Sequence, residues 1–302
     1  MKTTAQKQHI KRIHLKSIAV LLTCFNRKAK TLSALTHLYR AKDLHPEIAM
    51  VIYLTNDGST DGTGEAVARA FPKVKILQGN GELFWAGGMR NSWREALKGN
   101  YDAFFLLNDD TNLYTNVFDQ LLSTHRECLK TYKVPGIYIG STKEPNTGAH
   151  TYGGAVFLNR FMFKYEFLLP TGKVQPCELG NANIMMVTKE VVAKIGILSN
   201  GYRHGVADYD YTLMGLKKNI PLLLAPDYCG ECTHDHVDIY ETFAQKSFKE
   251  RLRLLKHPLG LDYSSNLLLM RKHFPLRVPF VMLAAALKLL FPNFYVKRRR
   301  NA

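Results

Sequence analysis

Short apolar runs alternate with stretches of helical spacing through the first half of the chain. Residues 18–23 (IAVLLT), 50–55 (MVIYLT), 74–78 (VKILQ) and 103–107 (AFFLL) read as strands. The first, second and fourth are so continuously apolar that both of their faces must be buried. Helical spacing follows each of the first three, near 31–39, at 64–70 and at 91–98. Between them lie a polar break at Asn26–Arg27, a turn-rich stretch at 56–63 (NDGSTDGT) and a glycine-rich loop at 79–88 that carries Phe84 and Trp85. Strands and helices in strict alternation predict an α/β fold with a mostly parallel central sheet flanked by helices. The second half is less regular. Residues 136–140, 150–158, 183–187 and 221–225 read as strands, and 189–195 and 208–218 as helices; Gly153–Gly154 suggests a bulge or a close backbone approach.

Charge changes this picture at the two ends. The chain of 302 residues carries a net +16. Residues 1–16 hold five Lys/Arg and no acid, and residues 246–302 hold thirteen against Glu250 and Asp262, so the stretch between is neutral. Three regions follow: a basic tail at 1–16, an α/β domain at 17–242, and a basic amphipathic extension at 243–302. Such ends attract polyanions, either nucleic acid or an anionic membrane surface. The neutral body has no basic-aromatic interleaving on its strands, so a nucleic-acid partner is not expected. Five scattered cysteines suit a reducing cytoplasm better than a disulfide framework. No apolar run of about 18 residues is present, which predicts neither export nor a membrane span.

Open parallel sheets bind ligands beyond the carboxyl ends of their strands. The clusters 23–27 (TCFNR), 56–61 (NDGSTD) and 108–110 (NDD) follow three strands and should converge on one rim. Neither a dinucleotide-binding glycine motif nor a P-loop is present. The rim is acidic, which suits a bound cation more than bare phosphate.

The order T-C-F-N-R, N-D-G-S-T-D-G-T, W-A-G-G-M-R-N and L-L-N-D-D-T resembles the family 2 inverting nucleotide-sugar glycosyltransferases of GT-A fold. Within them it is most similar to the rhamnosyltransferase-like enzymes of bacterial surface polysaccharide synthesis. The likeness runs from about Ile18 to His234, with a looser echo at 264–275. It implies a donor site built from Thr23, Asn26, Arg27, Asp57, Trp85, Arg90, Asn108 and Asp109. Asp57 would meet the pyrimidine base, or else open an Asx turn. Arg90 would meet the diphosphate, or else be a surface residue at a helix start. Trp85 would line the sugar site, or else belong to the core. Asp110 and His234, with His236 as competitor, would hold a divalent cation (Mn2+ or Mg2+); Asn108 stands where the simplest D-x-D pattern has its first acid.

Asp208 falls at the family's general base, with Ala207 in place of the preceding Glu; Asp210 is the alternative base, and either acid could cap the following helix. Cys229 and Cys232 beside His234 and His236 also permit a zinc site. The implied reaction is metal-dependent, inverting transfer from a UDP- or dTDP-linked sugar to a glycan acceptor, usually lipid-linked, at the inner face of the cell membrane. A nucleotidyltransferase is the nearest rival, since it too places a nucleotide and metal-binding acids at strand ends.

In the extension, residues 243–256 place Ala244, Phe248, Leu252 and Leu255 on one helical face. Residues 276–291 (LRVPFVMLAAALKLLF) are apolar but too short and interrupted to span a bilayer, and 297–300 (KRRR) follow. They read as an interfacial anchor, or as a segment packed on the body.

Overall fold

The computed structural model describes residues 15–233 and 243–293. The central sheet runs in the order β10-β13-β6-β12-β4-β1-β2-β3, with β10 the two-residue strand Gln175–Pro176 at its edge. Strands β1 (Ser17–Cys24), β2 (Ala49–Asn56), β3 (Lys75–Gln78) and β4 (Ala103–Leu107) are mutually parallel and pair in the order β4-β1-β2-β3; β6 (Ile137–Lys143) and β13 (Leu222–Glu231) are parallel to each other. The mostly parallel sheet is the one expected from the sequence.

Its core is double-sided because β1 alternates between two layers. Ile18, Val20, Leu22 and Cys24 face one cluster with Leu35, Leu38 and Ala41 of α1 (Lys28–Asp43) and Val117, Phe118 and Leu121 of α4 (Val117–Tyr132). Ala19 and Leu21 face the other with Met89, Trp93 and Ala96 of α3 (Phe84–Ala96). Each large side chain so buried contributes roughly 1.5–3 kcal/mol relative to exposure.

One interior strand is antiparallel to both of its neighbours. Strand β12 (Ile184–Thr188) is antiparallel to both β4 and β6, with Ile184 opposite Leu107. Its start therefore lies at the carboxyl end of β4, and residues 181–183 reach the same rim as Asn108–Asp110. The two-residue β5 (Asn112–Leu113) pairs with the far end of β13, which sets Cys232 beside the same loop. A small separate sheet, β11 (Leu179–Gly180), β8 (Gly154–Asn159) and β9 (Lys164–Phe167), stands next to it.

Several features differ from the sequence expectation. The loop expected at 79–88 is helical from Phe84, because Gly87 and Gly88 serve close packing: a Cβ on Gly88 would collide with the Thr23 side chain. The strand expected at 150–158 breaks at Gly153 into β7 (His150–Tyr152) in the large sheet and β8 in the small one. Strand β13 continues six residues past the expected 221–225, bulging after Leu224. Helix α4 was not anticipated at all.

The remaining helices are α2 (Thr63–Ala70), α5 (Lys189–Ile195), α6 (Ala207–Lys217), α7 (Phe248–Lys256), α8 (Tyr263–His273) and α9 (Val278–Leu290). Helix α7 starts at Phe248, later than the expected 243, because Ser247 and Glu250 form a capping box. Leu269 and Met270 of α8 share a core with Tyr202, Ala207, Tyr209 and Leu213. The extension is thus continuous with the body through α8. No helix among the described residues is long and apolar enough to cross a membrane.

Candidate active site

The three strand ends converge on one cavity of about 210 Å³, lined by Thr23, Cys24, Phe25, Arg27, Asp57, Gly81, Phe84, Trp85, Asp109, His204 and Leu259. Asp57 is buried at its floor. Its two carboxylate oxygens accept from the Gly81 and Phe84 amides, both at 2.9 Å. These bonds hold the turn before α3 and keep Phe84 at a left-handed φ of 53°, a strained value for a large side chain. Each oxygen retains a lone pair for a ligand donor. Asn26 is exposed and fixes the neighbouring turn, its Oδ1 accepting from Thr60 N at 2.7 Å.

At the end of β4 the three residues divide their work. Asn108 accepts a 2.7 Å hydrogen bond from the Trp85 indole, which orients that ring along the cavity wall. Asp109 is 6% exposed; burial first, then the Asp110 carboxylate, pushes its carboxyl up to about 7 against the pull of Arg27 and Thr31. Asp110 is more open and receives Arg27 at 2.5 Å, while Arg27 reaches Asp109 at 3.4 Å. The Cys232 thiol lies 3.7 Å from the other Asp110 oxygen. Asp109 on the cavity wall and Asp110 beside it, both reached by the Arg27 guanidinium, form a pair of oxygen donors that fits a hard divalent ion. His234 and His236 lie outside the described residues. Cys229 and Cys232 are both buried thiols, and no group of three metal-ligating side chains occurs among the described residues.

Asp208 lies in the first turn of α6. Its carboxylate accepts from Tyr209 N at 2.8 Å and Ala182 N at 3.2 Å. Burial raises its pKa above the usual carboxylate range despite these bonds. The segment carrying Ala182 also holds Asn183, whose carbonyl accepts from Asn108 N at 3.2 Å. Residues 181–183 therefore link Asp208 to the Asn108–Asp110 loop.

Asp210 is a different kind of acid. Its side chain is 0% exposed and accepts from Ser199 Oγ at 2.6 Å, His273 Nε2 at 2.7 Å and Lys272 Nζ at 2.9 Å. Burial pushes its pKa up, but these donors outweigh it and hold the carboxyl at about 2. It fastens α8 to α6. Arg90 also works away from the cavity: its guanidinium donates to the Ser199 carbonyl at 3.0 Å and the Tyr202 carbonyl at 2.8 Å, clamping the loop before α6. That is a different use from the diphosphate contact expected of it.

The site also contains residues that sequence reasoning passed over. Asn181–Asn183 arrive through the antiparallel register of β12, and Leu259 through the turn after α7. His257 in that turn meets the Phe84 ring edge-on at 6.0 Å. A hydrophobic residue in a loop far along the chain carries no local sign of such a role.

No family model matches the sequence, and a search among curated proteins finds no significant match. Solved structures do match. Mannosyltransferase PcManGT from Pyrobaculum calidifontis, in complex with GDP-Man and Mn2+, has a TM-score of 0.51 at 13% identity, covering 92% of this chain and 88% of that one. S. aureus TarS 1–349 has a TM-score of 0.48 at 14% identity over 79% of this chain and 65% of that one. At these identities the fold is what is shared: a mostly parallel central sheet flanked by helices, as in the mannosyltransferase.

Proposed function

We propose that the protein transfers a sugar from a nucleoside-diphosphate sugar to a hydroxyl of a glycan acceptor, with inversion at the anomeric carbon. The observation that carries this reading is one cavity at the carboxyl ends of three strands, lined by Arg27, Asp57 and Asp109, with Asp110 held beside it by Arg27 and Asp208 tied to the same rim through residues 181–183. The glycosyltransferase fold, seen in a relative that binds GDP-Man and Mn2+, supports it.

In this reading the base of the donor lies toward Asp57, and the diphosphate toward Arg27, Asp109 and Asp110. Asp208 takes the proton from the acceptor hydroxyl as its oxygen bonds to the anomeric carbon, and the bond from that carbon to the diphosphate oxygen breaks with its electron pair. A carboxylate that burial has made more basic is suited to that proton transfer. Arg27 moves its charge from Asp110 to the leaving diphosphate. Asp110 and Asp109, with His234 as further candidate, would hold a Mn2+ or Mg2+ ion, which when bound supplies positive charge to the leaving group.

A lipid-linked acceptor and work at the inner face of the cell membrane complete the proposal, with α9 and the basic C-terminal residues meeting an anionic surface. The donor is UDP- or dTDP-linked, and rhamnose is the sugar suggested by the family resemblance. A panel of nucleotide-sugars with each metal tests the reading. Release of a nucleoside diphosphate supports it, whereas consumption of a nucleoside triphosphate with release of pyrophosphate indicates a nucleotidyltransferase instead.

A further inference from the structure

The outer face of α9 is unusually bare. Phe280 is 60% exposed and Leu283 58%, while Ala285 on the opposite side is buried. A second bare apolar element lies against it. The turn between β8 and β9 presents Phe161 and Met162, at 55% and 58% exposure. The two are joined directly: Phe161 and Phe280 meet edge-on at 6.3 Å, and Arg277 Nη1 donates to the Phe161 carbonyl at 2.6 Å. Segments more than a hundred positions apart thus form one apolar surface, of a kind that soluble monomers seldom leave uncovered.

We propose that the β8–β9 turn and the outer face of α9 form a single two-footed surface that docks on an anionic lipid leaflet. Charge selects this occupant. From residue 263 to 302 the sequence holds eight Lys/Arg and no Asp or Glu, and the turn adds Arg160 and Lys164. Arg160 is paired with Glu178, and Glu166 stands on β9, so the excess comes chiefly from the extension. An apolar surface on a segment whose sequence is basic without acids, even with Lys272 paired to Asp210, matches acyl chains beneath anionic headgroups.

The surface is also connected to the candidate active site. Beyond the turn, Phe163 meets Tyr165 at 5.8 Å and Tyr165 meets Tyr209 at 5.6 Å, and Tyr209 follows Asp208 in α6. The Tyr209 hydroxyl donates to that of Tyr165 at 3.3 Å. These packed rings tie the docking surface to the helix that carries the candidate base, so docking would set that base near the leaflet and a lipid-linked acceptor, an assignment that rests on the proposed sugar transfer.

The test is co-sedimentation of the full chain with vesicles of phosphatidylcholine alone and of phosphatidylcholine mixed with phosphatidylglycerol, without nucleotide-sugar. The wild type should bind the anionic vesicles and release them in salt. Phe161→Ser with Met162→Ser, and separately Phe280→Ser with Leu283→Ser, should each weaken partitioning roughly tenfold or more. Donor hydrolysis in water should stay at the wild-type level in the turn variant. That variant decides the matter if the helix variant misfolds, since its melting temperature can be checked against wild type. Wild-type partitioning by the turn variant would overturn the proposal. So would a wild type that ignores anionic vesicles but forms a dimer which the turn variant splits. Neither result depends on whether any nucleotide-sugar is a substrate.

Discussion

Asp210 offers a quantitative check on how the extension is attached. Asp210→Asn keeps the shape of the side chain and removes its charge, so it imitates the protonated acid. Its carboxyl is held at about 2 from an ordinary 3.8, by donors from Ser199, His273 and Lys272. That difference corresponds to about 2 kcal/mol of preference for the ionised form in the folded state. The side chain is 0% exposed, so solvent screening does not reduce the figure much. The variant should therefore lose about 2 kcal/mol at neutral pH, visible as a drop of several degrees in melting temperature.

Because the folded-state pKa is depressed, this stabilisation is fully present above the unfolded value and lost as pH falls through the folded one. The gap between wild type and variant should be constant from about pH 7 to 5, fall to roughly half near pH 3, and close further toward pH 2. Urea unfolding across this range measures it. Equal stability at pH 7, or a gap of constant size down to pH 3, would refute the reasoning.

Other outcomes follow from the same geometry. Asp208→Asn should lower turnover by a factor on the order of 10² to 10⁴ while donor binding changes little; near-wild-type turnover in this variant, with loss in Asp210→Asn beyond what its stability explains, would move the base. Since burial raises the Asp208 pKa, the acidic limb of the kcat profile should lie above the ordinary aspartate range, and a limb at or below it would contradict the assignment. Activity should disappear in excess chelator and return with Mn2+ or Mg2+, and full activity under chelation would remove the metal from the reading. Gly88→Ala drives a methyl group into Thr23, so it should destabilise the fold by about 1–3 kcal/mol and weaken donor binding; a neutral effect on both would show that α3 can retreat.

The strand ends were legible because strands buried on both faces read as unbroken apolar runs, and polar clusters after them mark one rim. Helix α4 escaped because two positions of its buried stripe are Thr124 and His125. His125 is 1% exposed, its ring bonded to the Tyr138 hydroxyl at 2.7 Å, so a polar letter stands at an interior position. Arg90 resisted for a related reason: nothing in W-A-G-G-M-R-N tells whether a guanidinium will meet diphosphate or the carbonyls of a distant loop. The Asn181–Asn183 bridge was hidden because strand direction is a property of the sheet. A run such as 183–187 reads the same in either orientation, and only pairing with β4 decides which end reaches the rim.

The Asp210 cluster also sets the unit in which this protein can be shortened or recombined. A chain ended at Asp262 to remove the apolar extension would also strip Lys272 and His273 from a fully buried carboxylate. Its loss of vesicle binding could then reflect a collapsed α6 as readily as a missing anchor. Grafts of a foreign C-terminal segment face the same constraint: residues 199, 210, 272 and 273 must be exchanged together or left intact. A break after His273 would leave the donors of Asp210 in place, but would still take Phe274, Val278 and Val281 from the core they share with Tyr202 and Leu213.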